Sequence, residues 1–233
     1  MKDKLRLLIK AGREKEAQDL LPHVDDSPPS RPGGWTAKDN LAHLATWRLV
    51  AAAEMDAVRT GGKGPVVSSD AAVENAKIYD ETHHLPASSV LDTAARSWDA
   101  LIAAMEACSD EVLLQPRIRY PEEALSHMVP GHTYFHLAEH LGYWHTDRGE
   151  EGAAEEAAKW GHRLATSTDT EDKATGTADY NLGCFYAVRG RLEEAMPYLR
   201  SGIELNPRLR DWAKQDKDLD PIRATPELAR LLA

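Results

Sequence analysis

The chain has 233 residues, of which 42% are hydrophobic and 28% charged; that is enough chain, of ordinary composition, for one or two domains with a real core. The formal net charge is −10, and no run of Lys or Arg forms the basic stripe that phosphate contacts need, so nucleic acid is not an expected partner. Two distant cysteines, Cys108 and Cys184, exclude a disulfide framework or a CxxC zinc site and fit a reduced, cytoplasmic setting. The N-terminal stretch is charged throughout and does not read as a signal peptide. No apolar run approaches the ~18 residues of a membrane span.

The first expected helix runs from Lys2 to Leu21, with Leu5, Leu8 and Ile9 at helical spacing. The proline-rich and glycine-rich segment 22–34 breaks it. A second helix starts at Thr36, an N-cap with Asp39 three residues on as a short-armed capping box, and continues to about Arg59. The stretch TGGKGPVVSSD is a loop, and helix propensity returns over Asp70 to Thr82. A third long helix begins at Pro86 and reaches Cys108, with Val90, Leu91, Ala94, Trp98, Leu101, Ile102 and Met105 as its apolar stripe. Residues 109–128 are mixed, with Arg117-Ile-Arg-Tyr-Pro as a short extended piece. A fourth long helix is expected from Val129-Pro130-Gly131 to Asp147, Pro130 suiting its first turn. No sustained period-2 alternation marks a strand. Four long helices with one long crossover read as an all-α bundle over residues 1–148. Beyond that lie a further helix around Trp160, a polar linker TSTDTEDKATGT, and a distinct helical tail, residues 149–233.

Ten histidines are present, and five of them fall between His127 and His145. The spacing of four puts His136 and His140 on one helical face, ~40° apart and ~6 Å along the axis, so both can reach one ion. A third imidazole from the same helix cannot easily join, because eight residues rise ~12 Å. One pair plus a ligand from another helix is the natural arrangement. His43, two turns into the capped helix beside Leu41 and Leu44, is the candidate; an ordinary hydrogen-bonded core histidine is the other reading of it.

The run Trp35-Thr-Ala-Lys-Asp-Asn-Leu-Ala-His43-Leu-Ala-Thr-Trp47 resembles the second helix of the DinB-like (YfiT-like) superfamily, and Tyr134-Phe-His136-Leu-Ala-Glu-His140 resembles its last bundle helix. Val73-Glu-Asn75-Ala-Lys-Ile-Tyr79 and Ser97-Trp-Asp-Ala-Leu101 resemble the branch that includes ClbS/DfsB-type proteins. The resemblance implies an up-down-down-up four-helix bundle and a divalent metal, zinc or nickel, held by His43, His136 and His140. His132 matches no ligand position; it reads as a neighbour of the ligands or part of the mouth, with replacement of His140 as the alternative. Asn75, Tyr79 and Glu139 are the other candidates for residues around the ligands, with an ordinary structural or surface role as the other reading of each. The pair His83-His84 reads as a solvated loop, or else the rim of the mouth.

Asp179-Tyr-Asn-Leu182-Gly183 through Tyr186, Gly190, Ala195, Leu199, Gly202 and Pro207 resembles a tetratricopeptide repeat. It departs from the pattern where Asp179 replaces the usual Trp and Gly202 the usual Ala. One repeat cannot bury both its faces, so the tail is expected to dock on the bundle or on a second subunit, or to hold a protein partner.

Relatives implied by the resemblance include thiol-dependent S-transferases that use a low-molecular-weight thiol, a maleylpyruvate isomerase-type enzyme, and self-resistance proteins that disarm reactive natural products. The expected function is metal-dependent thiol transfer to, or hydrolytic opening of, a small electrophile. The competing expectation is a non-catalytic, metal-stabilised binding module. An open fourth coordination position favours the first and a closed one the second. A homodimer is compatible with either.

Overall fold

A computed structural model describes residues 1–27, 33–168 and 172–233. The chain divides into two compact units, Met1–Ala154 and Glu155–Ala233.

In the first unit α1 spans Lys2–Asp19 and buries Leu5, Leu8, Ile9, Gly12 and Glu16. Much of the proline-rich break that follows, residues 28–32, lies outside the described residues. Helix α2, Ala37–Thr60, starts at a full capping box. The Thr36 hydroxyl accepts from the Asp39 N–H at 3.0 Å, and the Asp39 carboxylate accepts from the Thr36 N–H at 2.9 Å. It ends where Gly61 adopts the left-handed conformation, φ 70°. Helix α3, Ala71–Thr82, is capped by Asp70. Helix α4, Ala87–Ala107, buries Val90, Ala94, Trp98, Leu101 and Met105, while Leu91 and Ile102 are half-buried at the edge of the stripe. The mixed segment holds a short helix, Asp110–Leu113, and one isolated antiparallel bridge, Pro116 to Ala124. The extended character expected at Arg117–Pro121 is limited to that bridge at its edge.

The last bundle helix begins at Met128, close to the expected Val129, but it is irregular. A turn at Met128–Pro130 passes into a π-helical segment, Gly131–Phe135, and only then into regular helix α5, His136–Asp147. Pro130 is tolerated because it lies in the first turn, where its missing N–H has no partner to serve. Helices α1, α2, α4 and α5, with the π segment, form the bundle, and α3 is the crossover packed on α2. The Cβ that Gly12 lacks would lie 2.9 Å from the Trp98 ring and 3.3 Å from the Thr133 Cβ. A hydrogen at this position is what lets α1 sit against both α4 and the π segment.

Helix α6 spans Glu151–Thr168 and α7 spans Asp172–Val188. The polar linker expected over residues 166–177 is therefore mostly helix, and only residues 169–171, outside the described set, separate the two. Polarity misleads here because Thr166 and Thr168 satisfy their hydroxyls on carbonyls one turn back, at His162 and Leu164. In the second unit α7 packs on α8, Leu192–Leu205, around Leu182, Tyr186, Ala195 and Leu199. The crossing is closest at glycines: a Cβ on Gly202 would lie 2.8 Å from the Gly176 carbonyl and 2.8 Å from the Tyr180 nitrogen. The chain then continues through α9, Leu209–Ala213, a 3-10 segment, Lys217–Ile222, and α10, Pro226–Leu232. Buried Asp216 ties these segments to α7, accepting from Tyr180 Oη at 2.8 Å and Trp212 Nε1 at 3.1 Å. Among the described residues no helix is long and apolar enough to cross a membrane.

Candidate metal centre

His43 is delivered by the second turn of α2, and His136 and His140 by the first two turns of α5. The structure brings one ring nitrogen from each within 4.8 Å of one another. His43 Nε2 and His136 Nε2 face each other at 3.1 Å. Two imidazoles on one tetrahedral ion at 2.0–2.1 Å place their nitrogens about 3.3 Å apart, so the spacing fits a shared ion. His140 Nδ1 lies 2.8 Å from Asn40 Oδ1. His43 Nδ1 is buried without a partner. Its ring is held instead by aromatic contacts, with centroids 5.0 Å from Trp35 and 6.4 Å from Trp47.

Burial makes these rings poor bases. It pushes His43 down to about 4 and His140 to about 3, and holds His136 well below the usual histidine range, with the neighbouring histidines adding to the effect on the last two. All three are neutral at pH 7, which is the form that ligates. Neutral nitrogen donors without a carboxylate suit a first-row divalent ion.

His132 is outside this group. Its ring stacks on Trp47, centroids 6.1 Å and planes 13° apart, and meets His136 edge-on at 6.2 Å. Its Nδ1 is buried and unpartnered, and burial pushes it down to about 4. Asn75 and Tyr79 are brought close by way of the tryptophans rather than the histidines. Asn75 Oδ1 accepts from Trp47 Nε1 at 3.2 Å, and the Tyr79 ring stacks on Trp35 at 5.6 Å. Glu139 is not brought in: it is exposed on the outer face of α5, where it accepts from Tyr143 Oη. Glu139 lies about 100° around the helix from its neighbour His140. His83 and His84 are exposed, with His83 stacked on Tyr79 at 5.0 Å.

Sequence reasoning gave no site role to Asn40 or to Trp35, although both lie in the quoted second-helix motif. Asn40 could have been noticed as an amide inside a capped helix, one turn before His43, where it has no propensity advantage.

An all-α bundle with three convergent, neutral imidazoles from its second and last helices defines a class of helical proteins with a candidate divalent-metal centre. Residues 15–147, more than half of the chain, match the sequence model of the DinB superfamily, and the chain belongs to that superfamily. No curated protein and no solved structure gives a significant match to the chain.

Proposed function

We propose that the bundle is a metal-dependent enzyme that disarms a small reactive electrophile, either by joining a low-molecular-weight thiol to it or by opening it with water. The observation that carries this reading is the three-imidazole group itself, since three protein ligands on a tetrahedral ion leave one position for a reactant. A divalent ion held there supplies Lewis acidity toward a thiol or water and toward a polarised electrophile. His43, His136 and His140 hold it, and Trp35, Trp47 and Tyr79 form an aromatic wall beside them, Trp35 against His43 and His140, Trp47 against His43 and Tyr79 stacked on Trp35. Neither cysteine fits as a nucleophile. Cys108 and Cys184 are buried, and burial pushes both thiols up, away from the thiolate. The ClbS/DfsB-type branch is the favoured placement, because Asn75 and Tyr79, part of that resemblance, anchor the wall.

The test is a conjugation and hydrolysis assay on a panel of electrophiles with small thiols, before and after chelation. Activity that vanishes on chelation, returns with zinc or nickel, and survives a double Cys→Ser substitution supports the proposal. Activity that ignores chelation and dies with the cysteines refutes it.

For the second unit we propose a tetratricopeptide-like packing extension. The close approach of α7 and α8 at Gly183 and Leu199, where a Cβ on Gly183 would lie 2.8 Å from the Leu199 side chain, supports that reading. A metal centre closed by a fourth protein ligand, together with a protein partner held by this unit, would favour a binding module instead.

A further inference from the structure

Asn40 is 2% exposed and sits in the first turns of α2. Its side chain is fixed at both ends. Asn40 Nδ2 donates to the Thr36 carbonyl at 2.9 Å, the same carbonyl that accepts the Asn40 backbone N–H at 3.1 Å. Thr36 is in turn locked by the capping box with Asp39. Because the amide nitrogen is committed to Thr36, the oxygen must face His140, and it does so at 2.8 Å from Nδ1. An amide oxygen only accepts, so Nδ1 of His140 must carry the proton. That leaves the lone pair on Nε2.

We infer that Asn40 is a positioning residue for the metal centre, holding His140 in the Nδ1–H tautomer and in the orientation that points Nε2 at the ion. This rests on the metal reading above. Ligand histidines ordinarily donate their second N–H to such an acceptor, and losing it weakens metal affinity about 10- to 100-fold. Asn within a helix also carries a local propensity cost relative to Ala, which a purely helical role would not explain. The contrast with His43 sharpens the point. His43 Nδ1 has no acceptor, whereas His140 is held through a relay that starts at the N-cap of the helix bearing His43.

The experiment uses the full chain as wild type, Asn40→Leu and Asn40→Asp. Zinc and cobalt affinities are measured by competition with a chromophoric chelator, and the metal-free melting point of each protein is recorded. Asn40→Leu should bind either ion about 10- to 100-fold more weakly. Asn40→Asp, which keeps an acceptor, should bind at least as tightly as wild type. Asn40→Leu affinity within threefold of wild type would overturn the inference. Should Asn40→Leu fail to fold, long-range ¹H–¹⁵N NMR of wild-type His140 decides: the Nδ1–H tautomer is expected, and Nε2–H would overturn the assignment. A wild-type protein that takes up no ion would sink the metal reading, while the tautomer measurement would still show whether Asn40 orients His140.

Discussion

Glu16 on α1 and Arg48 on α2 form a two-point ion pair inside the bundle, Oε2 to Nη1 at 2.7 Å and Oε1 to Nη2 at 3.2 Å, with Arg48 fully buried. Ser97 accepts from Arg48 Nε at 2.8 Å, Trp98 donates to Glu16 at 2.8 Å, and the guanidinium lies 4.0 Å over the Trp98 ring. Every polar atom of the pair is thus engaged across three helices. Glu16→Ala leaves an uncompensated buried cation and should cost roughly 3–5 kcal/mol, read as a loss of urea-unfolding free energy. A loss below about 1 kcal/mol, the size of an exposed pair, would mean that the pair is not buried.

Gly202→Ala tests the second unit. Alanine is the usual residue at this position of the repeat that the tail resembles, and it favours helix by about 1 kcal/mol. Here its Cβ would lie 2.8 Å from backbone atoms of α7, which cannot swing aside as a side-chain end can. Overpacking of this kind costs about 1–3 kcal/mol, so the substitution should lower the melting point. A stabilised Gly202→Ala protein would show that α7 and α8 lie farther apart.

Acid should weaken the metal-free protein. His43, His132, His136 and His140 all have folded-state values below the ordinary 6.5 because burial disfavours the cation. As pH falls below 6.5 the unfolded chain binds protons that the folded chain refuses until about 4 for His43 and His132 and about 3 for His140. The stability linked to them is complete above pH 6.5 and is lost across that window. His145 opposes the trend: burial lowers it, but hydrogen bonds to Asp19 and Glu150 outweigh burial and leave it raised. Its contribution is present below the unfolded value and lost as pH rises. With four groups against one, unfolding free energy should drop between about pH 7.5 and about pH 5. Equal stability at the two pH values would contradict the burial of these rings.

The bundle was legible because its signals are local. Thr36 and Asp39 spell a capping box in three residues, Gly61 stops the same helix, and the four-residue spacing of His136 and His140 needs only helical geometry. The features that were not legible depend on tertiary contacts. Nothing in Gly131–Phe135 announces a π turn, which is fixed by how that segment meets α1 and α2. Arg48 and Glu16 look like surface charges on amphipathic helices until Trp98 and Ser97 close over them. Asn40 has no meaning until α5 brings His140 against it. Glu139, a candidate neighbour of the ligands, is exposed on α5 because the helix turns it away from His140.

The central claim is that His43, His136 and His140 together hold one divalent ion. Its most direct test is metal content per chain, measured by elemental analysis on wild type and on the three single His→Ala proteins after loading with zinc or nickel and desalting. About one ion per wild-type chain is expected, as three protein ligands on one ion require, and a content far below that in each variant, with His43→Ala as depleted as the two α5 variants. A His43→Ala protein that keeps its full complement of metal would contradict it.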